Sequence, residues 1–312
     1  MKRQQYTNTI LMVEPVNFNY NPQTAVNNYF QVEVDEEAEK IQQQALTEFK
    51  NMVSTLRGKG VNVITIKDTP SPHTPDSIFP NNWISFHEDG TVVQYPMYAE
   101  NRRLERREED VLSFLEEKGF NITDVLDFTS AEEEGIFLEG TGSIILDRVN
   151  DLAYAAISQR TDEELFIEFC EELEYSPVIF SANQTVDGKR LPIYHTNVMM
   201  CIADEYAVIC LSSIDDKKER KYVVENLKDT GKEIIAITEE QMHQFAGNML
   251  QVAGLGQKYL VMSQTAFDSL TAEQKTAIEK YNPILPVQID MIEKLGGGSA
   301  RCMMAEVFLP KN

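Results

Sequence analysis

Short runs of apolar, largely β-branched residues recur from one end of the chain to the other: ILMVEP, VNVITI, TVVQYP, GSIILD, LAYAAIS, NVMMCIA, YAVICLSS, EIIAIT, YLVMS and CMMAEVFLP. Each has the length of a strand and is bounded by Gly, Pro, Asp or Asn. Segments with helical spacing lie between them. Ala38, Ile41, Ala45, Phe49, Met52 and Leu56 fall three or four apart and predict a helix over 35–56, stopped by Gly58 and Gly60. Leu104, Val111 and Leu115 predict another over 101–118, ending at Gly119. Asp162 opens a third, with Leu165, Phe169 and Leu173 on one face. Thr271 caps a fourth, with Glu273 in its first turn. Strands alternating with helices throughout define an α/β protein. The 312 residues, 42% of them apolar, supply a core for one domain spanning 1–312. No linker rich in Pro, Gly or Ser divides the chain, and the Pro-rich stretch KDTPSPHTPDSIFPNNW is surrounded by ordered-looking apolar residues. Several units read as strand, strand, helix, strand, without clear sequence identity among them.

Charge narrows the partners. Twenty-eight basic against fifty acidic residues give a net charge of −22, which opposes nucleic-acid backbones and anionic membranes. No apolar run approaches the roughly 18 residues of a membrane span. The opening MKRQQYTNTILMVEP lacks the apolar stretch and cleavage site of a signal peptide. The four cysteines, Cys170, Cys201, Cys210 and Cys302, include no CxxC and read as reduced thiols, so a cytoplasmic protein is expected. No GxGxxG or GxxxxGKS follows the first strand, which leaves nucleotide binding without support. The scattered Cys and His lack zinc spacing, and no metal or other cofactor is expected.

The residues able to do chemistry are few. Cys302 follows GGGSAR. It is either a small hydrophobe entering a strand, as Cys201 and Cys210 are in their runs, or a nucleophile. The glycines favour the second reading, since they let backbone approach a ligand closely and leave N–H groups free to hold it. Arg301 next door would favour a thiolate. Of His73, His87, His195 and His243, His195 stands at the mouth of the apolar strand in IYHTNVMMCIA, where it is either structural or catalytic. Glu139 in IFLEGTGSIILD lies between an apolar triplet and a Gly-Thr-Gly turn, so it is either paired in the core or functional.

From DSIFPNNW through FLEGTGS, ISQRTDEE and IYHTN to GGGSARCMM, the chain resembles the pentein, or guanidine-modifying, superfamily over nearly its whole length. This group holds dimethylarginine dimethylaminohydrolases, arginine deiminases and amidinotransferases. The likeness is closest to the dimethylarginine-hydrolase-like branch that includes bacterial citrulline-utilisation hydrolases. It implies a five-bladed pseudo-symmetric α/β propeller around a narrow polar channel. It also implies roles: Cys302 as nucleophile, His195 as general acid/base and Glu139 as its acidic partner. Asp76 in DSIF would contact substrate. Arg102 in ENRRLERRE and Arg160 in SQRTD would hold an amino-acid carboxylate. For Arg102 the competing reading is a solvated helix face paired with Glu105, whereas Arg160, between an apolar strand and a helix start, is better placed to bind an anion. Asn248 in FAGNMLQ lies in a segment that resembles the family, with no role fixed by it. The chain departs at Asn81-Asn82, where relatives commonly carry an acidic pair or Arg-Asp. A neutral amide pair suits a ureido group at least as well as a cation and raises citrulline as substrate.

The activity so implied is cleavage of a non-peptide C–N bond in citrulline, arginine or a methylarginine. Cys302 attacks the central carbon, His195 protonates the departing nitrogen, and water releases the thiol-bound intermediate. The partner is a small arginine- or citrulline-like molecule, and a homodimer is among the assemblies allowed. An amine in place of water would make the protein an amidinotransferase. A cysteine peptidase shares Cys and His, but the order Glu, His, Cys with a C-terminal nucleophile speaks against it. A non-catalytic binder would have no need of the thiol.

Overall fold

The computed structural model describes residues 3–311, and among these five three-stranded sheets repeat one plan. In each, a first strand pairs antiparallel with a central strand, which pairs parallel with a third. The sheets comprise Ile84–Phe86, Thr91–Gln94 and Asp124–Asp127; Ile144–Asp147, Leu152–Ala156 and Ser176–Phe180; Met200–Ile202, Tyr206–Ile209 and Glu233–Ala236; and Leu250–Ala253, Lys258–Ser263 and Ile284–Val287. The fifth joins the chain ends: Ala305–Glu306 pairs antiparallel with Thr9–Glu14, which pairs parallel with Asn62–Lys67. A parallel partner requires a crossover, and in the sheets helices such as Ala38–Gly58, Glu108–Glu117, Glu163–Glu172 and Lys217–Asp229 supply it. First strands of neighbouring sheets abut, Ile144–Asp147 against Met200–Ile202, that strand against Leu250–Ala253, and Ala305–Glu306 against Ile84–Phe86. A separate hairpin pairs Asn183–Val186 with Lys189–Pro192. The α/β class expected from the runs is present. No described helix is long and apolar enough to cross a membrane.

The helix expected over 35–56 runs from Ala38 to Gly58 and buries Ile41, Ala45, Phe49, Met52 and Leu56, while Ala38 stays exposed at its start. Those side chains share one apolar cluster with Ile10, Met12, Val252, Ile292 and the segment Cys302–Met304. Burying a side chain of this size contributes about 1.5–3 kcal/mol, so the longest described helix is tied directly to the cysteine segment. The helix expected over 101–118 is broken: Glu100–Arg103 and Glu108–Glu117 are separate, and Leu104 points to solvent at 52% exposure. The buried side chain of the first of these helices is Arg102, not Leu104.

Glu48, on the inner face of Ala38–Gly58, turns its carboxylate onto the start of Asp290–Gly296. It accepts from Met291 N at 3.0 Å and Ile292 N at 3.1 Å, two donors that the helix itself leaves unpaired. Burial raises the pKa of this carboxyl, and the two N–H donors oppose the rise. Glu48→Ala is expected to lower unfolding stability by about 1–2 kcal/mol, the usual cost of a lost helix cap. Urea denaturation checks this, and an unchanged midpoint would remove the cap from the account.

Candidate active site

Six stretches of the chain meet over one small cavity whose lining includes Asp76, Asn82, Arg102, Arg160, His195 and Cys302. Glu139, fully buried beside it, precedes the one-turn helix Gly140–Ser143. Its Oε1 accepts from Tyr98 N at 2.9 Å and its Oε2 from His195 Nε2 at 2.7 Å. Arg160 Nη1 stands 3.5 Å from the same Oε2 and Arg102 Nη1 4.0 Å. Burial alone would push the carboxyl pKa up. Arg160, His195 and Arg102 outweigh it and hold the group well below the usual carboxylate range. Burial depresses the pKa of His195 to about 4, although Glu139 pulls the other way. A neutral imidazole facing an ionised carboxylate must place its proton on Nε2, which leaves Nδ1 as the free nitrogen. Gly142 makes this packing possible: a Cβ there would lie 2.8 Å from His195 Nδ1 and 2.4 Å from Asn82 Nδ2.

Cys302 is buried in the turn ahead of Ala305–Glu306, so it does not enter a strand. Asn197 Nδ2 donates to its sulfur at 3.3 Å and Asn248 Nδ2 at 3.2 Å. Two N–H donors aimed at one sulfur serve a thiolate better than a thiol, because neutral sulfur is a weak acceptor. Asn248 also accepts from Arg301 N through Oδ1 at 3.0 Å, which fixes its amide. The Arg301 guanidinium, expected beside the thiol, is instead engaged by Met304 O at 2.8 Å and Glu306 at 2.9 Å. The glycine loop is held rather than loose. Gly297 has a φ of 61°, a left-handed conformation that ends Asp290–Gly296, and its carbonyl accepts from Tyr194 Oη at 2.7 Å. Ser299 Oγ donates to buried Glu293 at 2.5 Å, and burial pushes the Glu293 pKa up to about 7. Burial pushes Cys170 and Cys201 up to about 12.

Asp76 is buried. Its Oδ2 accepts from Asn21 Nδ2 at 2.7 Å and Thr24 Oγ1 at 3.1 Å, and its Oδ1 has no partner. Burial raises its pKa, with Arg102 opposing. Arg102 is buried, which overturns the solvated-face reading, and it pairs with Glu105 through Nε at 2.9 Å and Nη2 at 3.0 Å. The Arg160 guanidinium donates to Asn27 Oδ1 and to Thr24 O and lies 4.9 Å from the Tyr194 ring. Of the two asparagines, only Asn82 lines the cavity. Asn81 is turned away, donating to Thr141 Oγ1 at 3.3 Å. His87 sits elsewhere against Ser85, His243 against Gln184, and His73 is exposed. Sequence reasoning missed Asn197, although it lies within the IYHTN motif. It also missed the covering segment with Asn21, Thr24, Asn27 and Asn28, whose polar residues carry no periodic signal. No cluster of three or more His, Cys, Asp or Glu placed to hold a metal occurs among the described residues.

The fold has solved counterparts. The N-terminal domain of ArgZ, an arginine dihydrolase of the ornithine–ammonia cycle in cyanobacteria, was solved as a cysteine-to-serine variant bound to substrate. It matches with a TM-score of 0.70 at 18% identity, over 96% of this chain and 99% of that one. Full-length ArgZ matches at 0.72 and 18%, with 97% of this chain covering 41% of the longer protein. DDAH of Pseudomonas aeruginosa, in complex with citrulline, matches at 0.61 and 14% over 96% and 98%. Among curated proteins, none matches. The counterparts show the shared fold, and the family match sets the class, a hydrolase acting on C–N bonds other than peptide bonds. Over residues 14–309 the sequence matches the model of the family "N,N dimethylarginine dimethylhydrolase, eukaryotic", and the chain belongs to that family.

The proton position on His195 is directly testable. At pH 6.5 a long-range ¹H–¹⁵N spectrum should show His195 neutral with the proton on Nε2, and protonation should begin only near pH 4–5. An imidazolium signal at pH 6.5 would contradict the described electrostatics.

Proposed function

We propose that the chain hydrolyses a ureido- or guanidino-bearing amino acid through a covalent bond to Cys302. The observation that carries this reading is the convergence of the Asn197 and Asn248 amides on the Cys302 sulfur, in the cavity lined also by His195. A core cysteine needs no such donors. For a ureido substrate, neutral His195 takes the proton of the Cys302 thiol, and the thiolate attacks the carbon to form the C–S bond. The C–N bond then breaks as protonated His195 gives its proton to the departing nitrogen. Neutral His195 next takes a proton from water, whose oxygen bonds the carbon and displaces the sulfur. The resulting carbamate falls apart, so that the sum is substrate plus water giving ornithine, ammonia and carbon dioxide. Glu139 holds the imidazole in the orientation and tautomer that this shuttle requires.

Arg160 is the candidate for the α-carboxylate. Its guanidinium lines the cavity, and Asn27, on the covering segment, occupies the place that a carboxylate would take. Five like sheets with abutting first strands support a five-bladed propeller formed by one catalytic domain over 1–312. The acidic surface and unpaired cysteines support a small-molecule enzyme of the cytoplasm. Arginine stays beside citrulline as a substrate because ArgZ is an arginine dihydrolase.

Product analysis tests this. Purified protein incubated separately with citrulline, arginine and N,N-dimethylarginine should release ornithine, ammonia or dimethylamine from at least one of them. Cys302→Ser should abolish turnover at an unchanged melting temperature, whereas Cys170→Ser and Cys201→Ser should retain it. Full activity in Cys302→Ser would end the covalent reading, and product formed only with an added amine would make the protein a transferase.

A further inference from the structure

Arg102 was expected to hold a substrate carboxylate, but four of its five N–H donors already have partners within the protein. Nε and Nη2 take the two Glu105 oxygens, Nη2 also reaches Phe79 O at 3.2 Å, and Nη1 donates to Asn82 Oδ1 at 2.8 Å. Arginine can only donate, so the Asn82 atom facing it must be the amide oxygen. The NH2 of Asn82 is thereby turned the other way. It is buried without a partner, next to His195 Nδ1 across the space that a Cβ on Gly142 would fill. A buried donor left unpaired is costly, and a bound ligand is its natural acceptor.

Resting on the hydrolase reading above, we propose that Arg102 is a positioning residue that locks Asn82 as a hydrogen-bond donor into the cavity, and that this donor selects a ureido oxygen over a guanidinium. A guanidinium carries only N–H groups and would meet the Asn82 NH2 donor to donor. A ureido group offers its carbonyl oxygen to Asn82, and its own N–H groups can turn to Asp76 Oδ1, a buried acceptor that also lacks a partner. The Asp76 charge is already answered by Arg102 at 4.0 Å and by Asn21 and Thr24, so a cationic ligand is not required to balance it. As the C–S bond forms, negative charge develops on the ureido oxygen, and a donor fixed beforehand stabilises it without reorganising. Selectivity is therefore expected in turnover as well as in binding.

Two variants test the proposal by the ratio of kcat/KM for citrulline over arginine. Asn82→Asp keeps a carboxylate opposite Arg102 and presents an acceptor to the cavity. It should lower the ratio by roughly tenfold to a hundredfold, the range of a lost hydrogen bond with its partner stranded. Arg102→Met/Glu105→Leu removes the pair together, so that Glu105 is not left buried alone, while Asp76 keeps Asn21 and Thr24 and Glu139 keeps Arg160 and His195. It frees the amide to present either face, and the ratio should move toward unity. A merely structural Arg102 would lower both substrates in proportion and leave the ratio where it was, and that result would overturn the proposal. If the double variant does not fold, Asn82→Asp decides alone. Calorimetric binding to Cys302→Ser separates this inference from the hydrolase reading. Citrulline bound in preference to arginine, with no turnover of either by the wild type, would sink the hydrolase reading and leave the Asn82 donor standing. Turnover with arginine preferred would do the reverse.

Discussion

The site is organised around one buried anion. Glu139 is fully enclosed, and an isolated carboxylate in such a place would be unstable by several kcal/mol. It persists as an anion because the Tyr98 N–H, the His195 N–H and two guanidinium groups face it. These groups come from separate stretches of the chain and converge on the one carboxylate. His195 gains its tautomer, Arg160 its position under Tyr194, and the Gly140–Ser143 turn its place beside Asn82. Loss of the carboxylate would leave two buried cations facing one another with one fewer counter-charge.

The cysteine segment depends on a second set of contacts. Glu48 caps Asp290–Gly296, Glu293 holds Ser299, and Tyr194 and Asn28 reach the carbonyls of the glycine turn. The glycine turn is buried throughout. The use of its glycines is steric. Gly298 has Phe79 and the Cβ of Cys302 at the edge of contact, and a side chain there would crowd the cavity.

The α/β class was legible because the buried central strands, such as Leu152–Ala156 and Tyr206–Ile209, are apolar on both faces and read as continuous runs. The third strands were largely missed. Asp124–Asp127 is exposed at both ends, and Ser176–Phe180 and Ile284–Val287 each contain a proline, which an outer strand tolerates but which masks a strand pattern. Cys302, His195 and Glu139 stood out as polar or reactive residues in apolar or glycine-rich surroundings, and the structure brings them together. Asn197 and the covering asparagines did not, because what they do depends on which distant atom they face. Arg102 was left between two readings for the same reason: its spacing to Glu105 suits a solvated helix as well as a buried clamp.

The central claim is that Cys302 forms a bond to the substrate carbon. The most direct measurement is acid quench of the enzyme during turnover of citrulline, followed by peptide mapping by mass spectrometry. The peptide holding Cys302 should carry the added mass of a thiocarbamate, and the peptides of Cys170, Cys201 and Cys210 should carry none. Product accumulating under the same conditions with every cysteine peptide unmodified, including quench times shorter than one turnover, would contradict it.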